Sequence, residues 1–401
     1  MPRRAFVTVV TRNYAHFAQV LIQSCRKHHP DCDVFVCYVD RPPQSWHESV
    51  GDTQVIYGEQ LKIDHWHRFC FQYTPFELAC ALKPFAIAEV LHRGYDEVIY
   101  LDGDMAVFGP MTEVFQALQR DSIVLTPHLL KSLPVDGQRP HESAFLVSGA
   151  YNAGFLAVRA SASTAQFIQW WQGMCQRHCI VDLAAALFVD QKWLELVPGL
   201  FDGVRILRHP GYNAGHWSLS QFPIGACTQP NTSESDWDGT SLSGVSIGGA
   251  PLVLFHFSGM TPNQPQEYLR SQTRTSLAAN PPLEKLVKQY HDRLASAGLK
   301  TCTEWGCEFE TLNDGTPIHP TWREAIRRDH RWLVNIQNPF DVAAYPDTPA
   351  KLVALQSSAY KWRRDWHLQW GKERGVAGRV RKTSHQLKRV IKGLRQIWRA
   401  A

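Results

Sequence analysis

The sequence predicts an open α/β fold, a mostly parallel sheet with helices on both faces, on three observations. Apolar, β-branched runs of strand length alternate with stretches of helical periodicity. At Thr74-Pro75-Phe76-Glu77, a threonine N-cap, a proline at the first helical position and a glutamate three residues after the cap signal a helix that leads into the apolar run Val98-Ile99-Tyr100-Leu101. That run ends in Asp102-Gly103-Asp104, two carboxylates at the strand end where open α/β sheets bind ligands.

Taken in order, Phe6 to Val10 is the first strand, and Tyr14, Ala18, Leu21, Ile22 and Cys25 repeat behind it at helical spacing. Val34 to Val39 is the second strand, and the helix from Pro75 is ended by Gly94 before the run to Leu101. Ser122 to Thr126 reads as another strand, followed by the polar stretch Pro127 to Glu142, long enough to be a functional loop. Gly154 to Val158 resumes strand character and Thr164 to Cys175 helical character. Ala226 to Gly249 is rich in Ser, Gly, Thr and Asp, which predicts an exposed excursion before the strand Leu252 to Phe255. No internal repeat is evident. The expected organisation is a domain over 1–300, a small extension over 301–345 with a turn at Gly315-Thr316-Pro317, and a basic aromatic tail over 346–401 with helical pattern.

The chain has 401 residues, 44% of them hydrophobic, enough for one large or two ordinary cores. There is no apolar run of about 18 residues, and Met1-Pro2-Arg3-Arg4 is followed by too short an uncharged stretch for a signal peptide. The expectation is a cytoplasmic protein. Ten cysteines without framework spacing predict reduced thiols, mostly in the core. The formal charge of +5 conceals an asymmetry, because residues 361–401 carry thirteen Lys/Arg against two acids, a net +11, and the remainder is −6. Leu387, Val390, Ile391, Leu394, Ile397 and Trp398 recur there at spacings of three and four. Such a basic amphipathic helix is expected at an anionic membrane surface, placing the protein at the inner face of the cell membrane; packing on the body is the alternative, and nucleic acid is not an expected partner.

Carboxylates at a strand's C-terminal end can hold a hard divalent ion and leave positions free for phosphate oxygens. Asp31-Cys32-Asp33 and Asp236-Trp237-Asp238 share the spacing, but the first precedes its strand and the second follows no apolar run. Only Asp102 and Asp104 end a strand; on the residues alone, a metal site and an ordinary turn both fit.

Four segments, taken together, resemble glycosyltransferases of the GT-A fold, most nearly the glycogenin-like family 8 type found in bacterial surface-polysaccharide and lipopolysaccharide synthesis. They are Glu77-Leu78-Ala79-Cys80-Ala81-Leu82-Lys83-Pro84-Phe85 leading to Tyr100-Leu101-Asp102-Gly103-Asp104, then Tyr151-Asn152-Ala153-Gly154-Phe155, then Val189-Asp190-Gln191-Lys192-Trp193, then Phe255-His256-Phe257-Ser258-Gly259. The resemblance covers about residues 5 to 345 and implies a Rossmann-like GT-A sheet. It implies transfer of a sugar from a nucleotide diphosphate donor, UDP by family habit, to a glycan or lipid-linked glycan, with retention of configuration. In that reading Asp102, Asp104 and His256 hold Mn²⁺ or Mg²⁺, Gly103 joins the two carboxylates, and Gly259 lets backbone approach the diphosphate. Thr11, Asn13 and Tyr14 meet the nucleotide, with helix packing the alternative for Tyr14. Lys83 pairs with donor phosphate or sugar; Asn152, Ala153 and Gly154 flank the donor sugar; and Asp190 and Gln191 reach the reacting face.

One departure stands out. The family's His-x-Ser-Gly is usually followed by a Lys that holds the diphosphate, where this chain has Met260-Thr261-Pro262, leaving Arg12, Lys83, Arg270 and Arg274 as candidate cations. If the reaction inverts configuration, Asp190, Asp136 or Glu142 is the candidate base. Two other readings share the Asp-x-Asp. One is a haloacid-dehalogenase-type phosphatase, which lacks its usual continuation after Asp104. The other is a peripheral membrane or glycan-binding module with an inactive site.

Overall fold

The computed structural model describes residues 2–47, 52–226, 245–270, 272–328, 336–348 and 350–353. Residue 349 and residues 354–401 of the basic tail, and all but the ends of the excursion expected over Ala226 to Gly249, lie outside the described residues. The chain forms two compact units, one of residues 1–63 and 75–308, the other of 64–74 and 309 onward.

The larger unit is built on a seven-stranded sheet. Its strands are β1 (Arg4–Val10), β2 (Asp33–Tyr38), β3 (Gln54–Tyr57), β4 (Glu97–Leu101), β6 (Ile123–Pro127), β7 (Tyr151–Arg159) and β8 (Val204–Ile206). Two more strands, β5 (Met105–Val107) and β9 (Leu254–His256), pair antiparallel with each other outside it. The sheet order is β8-β6-β7-β4-β1-β2-β3, parallel throughout except for β7, which runs against both neighbours. This is the mostly parallel α/β sheet expected from the alternating pattern.

Side chains alternate across the pleat. Phe6 and Val10 of β1 and Ile99 and Leu101 of β4 join a core cluster with Ala15, Ala18, Leu21, Ile22 and Cys25 of α1 (Ala15–His28). On the opposite face, Tyr100 of β4 meets Lys83 of α2 (Pro75–His92). The second helix buries Leu78, Ala81, Leu82, Ile87 and Val90, and Pro84 breaks its hydrogen-bond ladder immediately after Lys83. Gly94, at φ 83°, turns the chain from α2 into β4.

Because β7 is reversed, its first residues reach the same edge as the last residues of β4 and β6. Register shifts there: Leu125 pairs with Leu156, but Pro127 pairs with Tyr151, so residues 152–155 stand opposite Thr126 alone. Irregularities of this kind re-aim side chains beside active sites.

Around residues 227–244 the chain forms a small antiparallel sheet, Ile224–Ala226, Val245–Ile247 and Ala250–Pro251. None of the nine described cysteines forms a disulfide. In the smaller unit, Arg323 is buried and its guanidinium donates to the carbonyls of Cys70, Phe71, Tyr73 and Phe309, several of them at the end of the helical turn Trp66–Phe71, whose last carbonyls have no helical partner. The turn expected at Gly315 is present, with φ 86° and a bridge between Thr311 and Pro317. Among the described residues no helix is long and apolar enough to cross a membrane.

Candidate active site

Four chain segments meet at the C-terminal edge of the sheet. Asp102 and Asp104 follow β4, and His256 ends β9, whose antiparallel pairing places His256 opposite Met105. The imidazole Nε2 of His256 lies 3.0 Å from Asp104 Oδ1 and 3.9 Å from Asp102 Oδ2. One ligand atom from each residue falls within 4.8 Å of the other two. Two carboxylates and an imidazole suit a manganese or magnesium ion that keeps open positions for other oxygens.

Beneath this edge sits Lys83, 4% exposed, with its ammonium 2.9 Å from Asp102 Oδ1, 3.3 Å from Asp190 Oδ2 and 3.3 Å from the Ala153 carbonyl. Burial disfavours its charge, but the carboxylates of Asp102 and Asp190 outweigh that and hold its pKa well above the usual lysine value. The Tyr100 hydroxyl donates to Asp102 Oδ1 at 2.6 Å. Asp102 is thus oriented by two groups before any ligand arrives.

Asp190 is 1% exposed, and burial pushes its carboxyl up to about 6 against the lowering effect of Lys83. Beyond that ammonium and the thiol of Cys80, its oxygens have no hydrogen-bond donor in normal geometry. Its backbone is held from α3 (Ala162–Cys175), where Trp171 Nε1 donates to the Asp190 carbonyl at 3.2 Å. The preceding Val189 adopts φ 42°, a left-handed conformation costly for a β-branched residue. Strain and an unmatched buried carboxylate at one position are marks of a functional residue.

Asn152 and Gln191 form a network whose orientation is set by backbone N–H groups, which can only donate. Gly154 N donates to Asn152 Oδ1 at 2.9 Å and Ala153 N to Gln191 Oε1 at 3.1 Å. Asn152 Nδ2 then donates to Gln191 Oε1 at 3.3 Å and to His128 Nε2 at 3.0 Å, while Gln191 Nε2 reaches the Ser148 carbonyl at 2.9 Å. His128 is buried, and desolvation lowers its pKa to about 3, so it is neutral and accepts. His256 Nδ1 lies 3.2 Å from Asn152 Oδ1. The Asn152 amide is therefore fully engaged within the protein.

The glycines are demanded by space. A Cβ on Gly154 would stand 2.5 Å from His256 Cε1, and one on Gly103 2.6 Å from Val10 Cγ1. Gly154→Ala is expected to cost about 1–3 kcal/mol of stability by overpacking and to weaken metal binding by pushing the His256 ring aside; denaturant unfolding and Mn²⁺ titration of the variant check both. Gly259 has φ 78° in the turn after β9.

The nucleotide-side residues follow β1 as expected. Thr11 is buried, and Asn13 has a buried side-chain oxygen without a partner. Tyr14 is 47% exposed and stacks on Phe17 at 5.1 Å, which leaves a ring face open. The candidate cations fare differently. Arg12 is paired with Asp40 at 3.3 Å and donates to the carbonyls of Trp305 and Gly306. Arg274 grips the loop after β6, with both guanidinium nitrogens on Asp136 at 2.8 Å and further bonds to the carbonyls of Pro134, Gln138 and Pro140. Arg270 pairs with Glu267 at 3.2 Å. Asp136 is thereby committed to Arg274, and Glu142 accepts the Leu133 N–H at 2.9 Å.

Sequence reasoning missed Tyr100, His128, Asn213 and Trp217. Asn213 Nδ2 donates to Asn152 Oδ1 at 3.0 Å, and the Trp217 ring stands perpendicular to His256 with centroids 5.4 Å apart. A signal for Asn213 exists: Tyr212-Asn213-Ala214-Gly215 matches Tyr151-Asn152-Ala153-Gly154 letter for letter. A second cluster, His29, Asp31 and Cys32, lies at the N-terminal end of β2. Burial lowers His29 to about 4, so its ring is neutral. Its Nε2 accepts the Met111 N–H at 3.2 Å, which puts its own proton on Nδ1 and leaves no nitrogen for a metal.

A carboxylate-edged site on a mostly parallel sheet is the arrangement expected of a GT-A glycosyltransferase. Residues 6–169 match the sequence model of Glycosyl transferase family 8, and over that stretch the chain is similar to glycosyltransferases of this family. It is similar to two uncharacterized proteins of Bacillus subtilis strain 168. These are YfnF, 23% identical over 259 residues (64% of this chain, 81% of YfnF), and YfnD, 23% identical over 272 residues (64% and 78%). Among solved structures, the galactosyltransferase LgtC in complex with donor and acceptor sugar analogs is 14% identical with a TM-score of 0.37, over 73% of this chain and 95% of that one. GlyE of Streptococcus pneumoniae TIGR4, in its apo form, is 15% identical with a TM-score of 0.39, over 75% and 64%.

Proposed function

We propose that this glycosyltransferase takes a nucleotide diphosphate sugar as donor, works with a bound Mn²⁺ or Mg²⁺, and passes the sugar to a glycan or lipid-linked glycan with retention of configuration. The observation that carries this reading is the convergence of Asp102, Asp104 and His256 above the buried Lys83–Asp190 pair. A divalent ion held there supplies positive charge for a diphosphate leaving group. Lys83 fixes the carboxylate of Asp102 and returns part of its charge to Asp190. Asp190, with oxygens short of donors, accepts hydroxyls of the donor sugar. Gln191 reaches the reacting face, with its orientation set by the Ala153 N–H. Tyr14 offers its exposed ring to the base. Asp136 is held by two guanidinium nitrogens of Arg274, which withdraws it as the base an inverting reaction would need. The tail's net +11 supports attachment to anionic lipid at the cytoplasmic face, where a lipid-linked acceptor would be met.

Thermal shift against UDP-, GDP- and TDP-sugars, each with and without Mn²⁺, tests the donor reading. The expected result is stabilisation by one carrier that requires the metal and disappears in Asp102→Asn. No stabilisation by any of them would favour a glycan-binding module.

A further inference from the structure

We propose that Asn213 is a positioning residue for the metal-facing ring of His256, acting through Asn152. The inference rests on the reading of Asp102, Asp104 and His256 as a metal site.

A histidine can present Nε2 to a metal only if its proton is kept on Nδ1, and that choice is set by what Nδ1 faces. Here it faces Asn152 Oδ1 at 3.2 Å. The identity of that atom as oxygen is secured by the Gly154 N–H, which can only donate to it. With a metal on Nε2 the ring must carry its proton on Nδ1, and Asn152 Oδ1 is the acceptor placed to take it. A backbone amide thus fixes which atom receives the ring's proton.

Asn213 is the third donor to the same oxygen. Its Nδ2 bridges Asn152 Oδ1 at 3.0 Å and Thr126 Oγ1 at 2.8 Å, tying the start of β7 to the end of β6 where their register breaks. The reversed amide would set two acceptor oxygens against each other, so the orientation is forced. It comes at a cost, because Asn213 is 3% exposed and its own Oδ1 has no partner. Its backbone, at φ 48°, lies in the left-handed region that asparagine tolerates better than most residues. The next residue brackets the histidine strand: Ala214 N donates to the Leu254 carbonyl at 3.0 Å, and His256 N donates to the Ala214 carbonyl at 2.7 Å. One two-residue segment thus holds the backbone of His256 directly and its ring through Asn152. The twin Tyr-Asn-Ala-Gly tetrapeptides meet at their asparagines for this purpose.

The test uses the full chain stripped of metal. Asn213→Asp keeps the shape but cannot donate to Asn152 Oδ1, and Asn213→Gly removes the side chain while suiting the backbone. Each is titrated with Mn²⁺ by calorimetry, and the His256 ring is followed by its ¹⁵N shifts in protein saturated with diamagnetic Mg²⁺. The expected result is binding weaker by about 10-fold, the lower end of what an outer-shell partner contributes, and a changed Nδ1 shift, the mark of an altered hydrogen bond at that nitrogen. Folded variants with wild-type Mn²⁺ affinity and an unchanged Nδ1 shift would overturn the proposal. Should both variants unfold, Thr126→Val, which removes the other anchor of Asn213 Nδ2, decides by the same two readouts. Should the wild type bind no divalent ion, the metal reading falls by itself, and the Nδ1 shift compared between wild type and variant without metal still decides whether Asn213 holds the ring through Asn152.

Discussion

Asp104→Asn is expected to lower turnover on the order of 100- to 1000-fold, the equivalent of several kcal/mol of lost metal-borne charge stabilisation. The substitution is nearly isosteric, so the loss is chemical. It also changes the pH dependence of metal binding. Burial works against both charges, yet in the metal-free protein the proximity of Asp104 and His256 holds the carboxyl below its ordinary value and the ring above its own. A metal needs the neutral Nε2, so affinity falls as pH drops through the raised histidine pKa, and in that range each ion bound expels a proton. The stability the charged ring contributes without metal has the opposite sign: it is complete below the unfolded value of about 6.5 and is lost as pH rises through the higher folded value. In Asp104→Asn the carboxylate that raises the ring is gone, so the pH at which affinity falls moves down while the affinity itself collapses. Titration calorimetry in buffers of different protonation enthalpy reads both effects. Unchanged turnover and metal dependence in this variant would end the metal assignment.

Lys83→Met is expected to be the most destabilising single change at the site. It leaves Asp190, almost wholly buried, and the partly exposed Asp102 without their shared cation. Breaking a buried pair by removing one partner typically costs about 3–5 kcal/mol, and with the ammonium gone the Asp190 carboxyl should rise further from its already raised value near 6. Because a raised carboxyl favours the native state at low pH, the stability lost in Lys83→Met should be smallest in acid and grow as pH rises through the folded pKa of Asp190. Adding Asp190→Asn should recover much of it. Urea denaturation of the two single variants and the double variant, at acid and neutral pH, measures the coupling directly. If Lys83→Met unfolds at the wild-type midpoint, the buried triad has no structural role.

Much of the sheet was legible because its evidence is local. The apolar runs at Phe6, Val34, Val98, Ser122 and Gly154 each became a strand within a few residues of the expected ends, and Pro75 and Gly94 bounded α2 as capping chemistry predicts. The Asp102-Gly103-Asp104 assignment was readable for the same reason, since a strand and its terminal carboxylates are contiguous. Side-chain partnerships were not readable. Nothing in the sequence distinguishes Lys83, buried between two carboxylates, from an exposed helical lysine, and nothing marks Arg274 as the anchor of a loop 134 to 140 residues earlier. Asn213 escaped because its segment, Gly211-Tyr212-Asn213-Ala214, has neither helical nor strand periodicity and forms only an isolated bridge, Ala214 to Phe255. Its importance comes from two hydrogen bonds to residues 61 and 87 positions away.

The position of β9 outside the main sheet, paired with β5 and bridged to Ala214, bears on the order in which the site comes into being. Lys83, Asp102, Asp104 and Asn152 stand on the framework of the main sheet, but His256 arrives on a three-residue strand outside it. Such a strand can open locally while the seven-stranded sheet stays intact. In a nascent chain the histidine is the last of these groups to emerge, so the site closes only after residue 256 has been made. An ion that prefers the closed arrangement then acts as a latch on β9, and amide exchange at Leu254 to His256 should slow on metal addition while exchange in β1 and β4 does not.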